Sequence, residues 1–230
     1  MVSLSPRLLA VATLIPPGAR LVDVGADHGR LPAYLVQRGL VSSVLATDIS
    51  PEALAKARQL IDRCGLSRAI TFRLADGLGG LPLDDFDVVV MAGLGADTIV
   101  DIWRKNPPPT HITCLLSPMS HTERLRAFLG NSILLERLVL EGRRLYSVLA
   151  AKPQEAPKAP VEPGRRYVSQ ALEQAGDPLL PLYLERQIAR LVAEGKGLAV
   201  SRRKGDDLRR AETAEALAYM RTLRRNRYKG

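Results

Sequence analysis

With 230 residues, 46% of them apolar and 25% charged, the chain can bury a core and is too mixed in composition to be disordered or fibrous. No apolar run approaches the roughly 20 residues of a membrane span. The net charge of +9 is uneven: residues 1–151 carry 16 Lys and Arg against 14 Asp and Glu, whereas residues 152–230 carry 17 against 10.

The apolar stretch Leu8–Ile15 runs straight into Pro16-Pro17-Gly18 and a strand, so it reads as an N-terminal helix rather than a cleaved leader. Strand patterns follow at Leu21–Gly25, Ser43–Asp48, Ile70–Leu74, Phe86–Ala92 and Ile112–Ser117. Helical patterns at Gly29–Arg38, Pro51–Cys64, Ala96–Arg104 and Thr122–Leu129 lie between them or after the last. Val88-Val89-Val90 and Cys114-Leu115-Leu116 are continuously apolar, as strands covered on both faces are. Ser50, Pro51 and Glu52 form a helix start. Ile133–Leu140 and Arg144–Ala151 then read as two strands joined by Glu141-Gly142-Arg143. The predicted architecture is α/β: a Rossmann-like parallel sheet closed by an antiparallel hairpin, the sheet of class I methyltransferases.

Three units are expected: a catalytic domain over 1–151, a linker over 152–164 with prolines at 153, 157, 160 and 163, and a basic helical domain over 165–230. In the last, Leu184, Ile188, Leu191 and Leu198 share one stripe, and Leu208, Ala216, Leu217, Met220 and Leu223 share another. Two such helices, turning at Arg202–Asp207, are expected to pack as an antiparallel coiled-coil pair. Arg202, Arg203, Lys204, Arg209 and Arg210 surround the turn, and Arg221, Arg224, Arg225, Arg227 and Lys229 crowd the end, a charge pattern suited to RNA phosphates.

The chemistry is expected where the first strand ends, at Asp23-Val24-Gly25-Ala26-Asp27-His28-Gly29, because an open parallel sheet binds ligands outside the carboxyl ends of its strands. Asp48, at the end of the second strand, can accept both ribose hydroxyls of an adenosine-bearing cofactor, with Ile49 beside it. Up to this point NAD and S-adenosylmethionine fit alike. A dinucleotide fingerprint needs glycine two positions after the first, where pyrophosphate touches the backbone. Asp27 occupies that position; a carboxylate repels phosphates and attracts the sulfonium and ammonium of S-adenosylmethionine. Asp76 and Gly77 follow the third strand, the acid placed for the adenine amine and the glycine giving room. Ala92-Gly93-Leu94-Gly95 follows the fourth, leaving backbone bare where cofactor meets substrate.

These residues resemble the TrmK family, bacterial methyltransferases that modify N1 of adenosine 22 in tRNA. The resemblance rests on Ser5-Pro6-Arg7-Leu8, on Asp23-x-Gly25-x-Asp27-His28-Gly29-x-Leu31-Pro32, on Asp76-Gly77-Leu78, on Ala92-Gly93-Leu94-Gly95, and on Glu136, Glu141 and Tyr146 in the hairpin. It implies a tRNA substrate, S-adenosylmethionine as methyl donor and an antiparallel helical C-terminal domain. The chain departs from the family in Leu94 and Ala96 of the fourth-strand turn, in the short turn Asp48-Ile49-Ser50-Pro51, and in Ser117-Pro118-Met119, where the family shows Gln-Pro-Asn.

Neutral adenine already bears a lone pair at N1, so transfer needs alignment rather than a base. The methylated base is cationic, and Asp27 is the first candidate to stabilise it. His28 is either a second contact or a packing residue. Ser117, Pro118, Met119 and Tyr146 are candidates for the base site. Asn106-Pro107-Pro108-Pro109 mimics an adenine-methyltransferase box but does not end the fourth strand; it reads as a helix stop. Cys64 and Cys114 have no pairing or metal spacing, nor do His28, His111 and His121, so a cytoplasmic protein without metal is expected. The alternatives are a methyltransferase of this fold acting on another RNA, a small molecule or a protein, and a cofactor-binding protein without turnover.

Overall fold

The structure is a computed structural model that describes residues 1–154, 160–200 and 205–228. Seven strands form one sheet: β1 (Ala19–Val24), β2 (Val41–Asp48), β3 (Ile70–Leu74), β4 (Val88–Ala92), β5 (Thr113–Ser117), β6 (Ile133–Glu141) and β7 (Arg144–Ala151). Their order is β3-β2-β1-β4-β5-β7-β6, with β1 to β5 parallel and β7 antiparallel to both its neighbours. This is the Rossmann-like methyltransferase sheet, closed by its hairpin as predicted.

The apolar strand runs are explained by cover on both faces. Val88 and Val90 point to a core shared with α1 (Pro6–Ala12), α2 (Arg30–Gln37) and α3 (Pro51–Arg63). Val89 and Met91, alternating with them, point to a core built with α4 (Ala96–Lys105) and α5 (Thr122–Leu129). The start of α3 is capped as read: Ser50 Oγ accepts the Ala53 amide at 3.1 Å, with Pro51 in the first turn. The Asn106-Pro run does end α4, with Asn106 at its C-cap. Both cysteines are free; Cys114 is buried among the α4–α5 core, and burial pushes its thiol up, so it is unreactive packing.

The C-terminal chain folds into α6 (Pro163–Tyr167), α7 (Gln170–Gln174), α8 (Leu180–Val200) and α9 (Asp206–Arg227). The two short helices were not predicted, and α6 starts inside the stretch read as linker. Leu184, Leu191, Ala216, Met220 and Leu223 are buried between and beneath α8 and α9. Leu208 is not among them; it is 67% exposed, because it lies on a different face of α9 from Ala216, Met220 and Leu223, while Asp206 before it is buried. Arg202, Arg203, Lys204 and Lys229 lie outside the described residues.

This C-terminal core is continuous with the sheet, since Leu138 of β6 belongs to it. The Asp177 carboxylate accepts the Leu138 amide at 2.7 Å and the Leu179 amide at 2.8 Å, which covers the outermost strand. Beneath it lies a buried polar knot. Arg126 of α5, 1% exposed, donates to Glu136 of β6 from Nε at 3.1 Å and from Nη2 at 2.5 Å. Nη2 also reaches Ser147 Oγ at 2.9 Å, and Nη1 reaches Tyr183 Oη at 2.9 Å and the Arg166 carbonyl at 3.3 Å. Ser169 Oγ donates to the second Glu136 oxygen at 2.6 Å. A buried guanidinium and carboxylate are tolerable only when satisfied in this way. Gly164 supplies a further contact: a Cβ there would overlap the Tyr219 ring of α9. No helix among the described residues is long and apolar enough to cross a membrane.

Candidate functional site

The β1–α2 loop is wound tightly enough to leave space above the sheet. Gly25 and Ala26 both donate amides to the Thr47 carbonyl, at 2.9 Å each, which pins the loop to β2. Gly25, Asp27 and Gly29 all have positive φ, and Asp27 does so at 47° without being glycine. The Asp27 amide donates to Asp48 Oδ2 at 3.1 Å, while Ser50 donates to Asp48 Oδ1 at 2.9 Å. The Asp48 carboxylate is thereby fixed in orientation, and each oxygen keeps a lone pair for a further donor.

Above these residues is a cavity of about 500 Å³, within the range of small-molecule sites. Twelve expected residues line it: Asp23, Gly25, Asp27, His28, Asp48, Ile49, Asp76, Gly77, Ala92, Gly93, Leu94 and Met119. Four of the twelve are carboxylates. Asp23 is buried, and its burial followed by the nearby Asp48 charge pushes its pKa up to about 7. Asp27 and His28 are exposed at the mouth, with His28 Nε2 3.7 Å from Asp27 Oδ1. Asp76 is engaged by Lys105 Nζ at 2.5 Å through Oδ2, which leaves Oδ1 for another donor.

Gly77 lines the cavity, but its missing side chain makes room for Ile102 rather than for a ligand; a Cβ there would lie 2.8 Å from Ile102 Cγ1. Gly29 likewise serves packing, since a Cβ would sit 3.0 Å from Ala57 Cβ of α3. Gly95 caps α4, and the adjoining Ala96 amide ties to the Ser120 carbonyl at 3.2 Å. Ser117 is fully buried behind the cavity, and Pro118 does not line it. Tyr146 is buried too, its ring centre 5.5 Å beneath the Arg7 guanidinium, so it forms a floor rather than a stacking platform. Arg209 and Arg210 lie in the first turn of α9, away from the cavity, and both are engaged by acidic side chains.

Arg7 is one of the cavity residues that the sequence reading did not place there. It reaches Ser117 Oγ with Nη1 at 3.5 Å, and its Nε is buried without a hydrogen-bond partner. The available signal was one basic residue behind a Ser-Pro cap in an otherwise apolar helix. Arg30 also lines the cavity but is held by the Ser3 carbonyl at 2.8 Å.

A glycine-bearing loop after β1, an acid ending β2 and an acid-lined cavity at the strand ends are matched by a family model for a methyltransferase domain, over residues 4–149. The chain belongs to the methyltransferase domain family. The chain is also 31% identical over 154 residues to tRNA (adenine(22)-N(1))-methyltransferase of Bacillus subtilis, covering 65% of each chain. The chain thus spans just under two thirds of that relative. Its fold is similar to the crystal structure of the B. subtilis M1A22 tRNA methyltransferase TrmK, at TM-score 0.84 and 22% identity over 97% of this chain and 99% of that one. It is also similar to M. capricolum TrmK in complex with S-adenosyl-homocysteine, at TM-score 0.76 and 25% identity over 95% and 96%. The TrmK resemblance read from the motifs is borne out by these relatives.

Proposed function

We propose that this methyltransferase transfers a methyl group from S-adenosylmethionine to N1 of an adenosine in tRNA, at the position 22 named for its Bacillus relative. The observation that carries the reading is the acid-lined cavity, with Asp27 where a dinucleotide site would need bare backbone. Bound there, S-adenosylmethionine would supply a methyl group activated on a sulfonium.

The residues fit that donor. Asp48, its oxygens held by two amides, accepts the ribose hydroxyls beside Ile49. The free oxygen of Asp76 accepts the adenine amine. Asp23 faces the ammonium, and Gly25, Ala92, Gly93 and Leu94 let the chain pass close to the backbone. Gly29 and Gly95 shape the two loops rather than touch the ligand.

Asp27, at the open mouth, faces the incoming base and stabilises the positive charge that N1 acquires, with His28 alongside. Met119 offers the base an apolar edge, while Ser117 and Tyr146 support it from below through Arg7. N1 lies on the pairing edge, so the nucleotide must be unpaired or extruded to enter. The body over 1–151 does the chemistry, and the basic chain over 165–230 contributes to holding the RNA.

The test is incubation of purified protein with the donor and unmodified tRNA transcript, followed by mapping of reverse-transcription stops. A stop at one adenosine, dependent on both protein and donor, is the expected result. A donor-binding protein that leaves tRNA unmarked overturns the reading.

A further inference from the structure

Resting on that reading, we infer that the RNA backbone is gripped by the tip of the β6–β7 hairpin together with the start of α8, next to the cavity. Arg209 and Arg210, the described arginines beside the α8–α9 turn, are not the grip. Arg143 and Arg144 form the exposed tip and have no ion-pair partner among the described residues. Arg186, in the second turn of α8, donates to the Arg143 carbonyl at 2.8 Å and has no acidic partner among those residues either. Arg186 thus reaches the backbone of a hairpin tip that carries two exposed arginines.

The cluster adjoins the cavity along two routes. At one side, Glu141 ends β6 and its carboxylate accepts the Arg7 amide at 3.0 Å, joining the tip to the helix that lines the cavity. At the other, Arg190, one turn beyond Arg186, lies 3.6 Å from Glu123 in the first turn of α5. That helix follows Met119, another cavity residue. Phosphates seated on the tip and on α8 would therefore flank the mouth into which a base must drop.

The described arginines of the α8–α9 turn are differently placed. Arg209 is shared between Glu194 at 3.5 Å and Asp206 at 3.7 Å, and Arg210 pairs with Asp207 and donates to the Leu198 carbonyl at 2.9 Å. Carboxylates already in contact must be displaced before a phosphate gains anything there.

The experiment compares Arg143→Ala/Arg144→Ala with Arg209→Ala/Arg210→Ala in the full chain, using unmodified tRNA transcript as probe across a salt series. Binding of S-adenosyl-homocysteine and the melting temperature serve as controls. The tip variant is expected to bind tRNA at least about tenfold more weakly, with a log–log salt slope smaller by roughly 1.4–1.8. Its homocysteine-product affinity and melting temperature stay at wild-type values, and the turn variant stays within about twofold of wild type. A tip variant with wild-type affinity and slope, or a larger loss from the turn variant, overturns the inference while tRNA methylation by the wild type stands. A wild type that binds the product but neither binds nor methylates tRNA overturns the functional reading, and this inference with it.

Discussion

Arg126 and Glu136 form a bidentate pair sealed inside the protein, with contacts as short as 2.5 Å, at the seam between the sheet and the C-terminal helices. Burial works against the guanidinium charge, and the Glu136 carboxylate with the Tyr183 hydroxyl more than offsets it. Removing one member strands the other in a dry site. Arg126→Ala is therefore expected to destabilise the fold by about 3–5 kcal/mol. Arg126→Met with Glu136→Leu removes both charges and should recover much of that loss. Urea unfolding of the three proteins checks the pair.

On the proposed reading, donor binding in the acidic cavity should be sensitive to pH through Asp23. Its pKa is raised from 3.8 to about 7, so the folded chain holds this proton more tightly than the unfolded one. The resulting contribution to stability is complete below pH 3.8, declines as pH rises and is gone above about 7. Asp23→Asn should lack that decline in a pH series of thermal melts. Binding a cationic ammonium needs the carboxylate, so product or donor binding near pH 6 should release about one proton. Calorimetry in buffers of different ionisation enthalpy measures it; no proton release would separate Asp23 from the ammonium.

Gly164 is set against the Tyr219 ring, and Tyr219 Oη donates to Glu173 at 2.7 Å. Gly164→Ala should prise α9 from α6, at a cost of about 1–3 kcal/mol. Limited proteolysis is expected to release the C-terminal helices sooner, with binding of S-adenosyl-homocysteine unaltered. Equal protease resistance in the two proteins would show that the ring moves aside freely.

A cut after residue 152 bears on the proposed division into units. It would uncover Leu138, take Asp177 from the β6 edge, and remove Ser169 and Tyr183 from the Arg126–Glu136 pair. The fragment should consequently melt well below the whole chain, even though every cavity residue remains in it. A fragment as stable as the parent would mean that the helices are an appendage.

What could be read beforehand divides by the distance along the chain over which the signal acts. Val88–Val90 announce a covered strand by themselves, and Gly25 with Asp27 announces a loop that favours cations. Both are local. The Arg126 knot joins residues 10, 21 and 57 positions apart, and no spacing rule brings Glu136, Ser147 and Tyr183 to one arginine. The helices α6 and α7 span five residues each, too short to show a period, and they follow a proline-rich stretch. Leu208 matched its stripe by residue type, yet it lies on the face of α9 turned away from the buried Ala216, Met220 and Leu223. Gly77 and Gly29 were recognised as glycines that matter; that each makes way for a neighbouring side chain rather than for a ligand depends on tertiary packing.

Asp27 occupies a left-handed backbone conformation that suits glycine better, and its side chain lies open to solvent. Replacing it by glycine should leave the melting temperature unchanged or raise stability by up to about 1 kcal/mol, while methyl transfer is lost. Durability and turnover thus pull in opposite directions at a single loop position. On the proposed role of Asp27, toughening this protein by choosing the most comfortable residue everywhere would begin by erasing its chemistry.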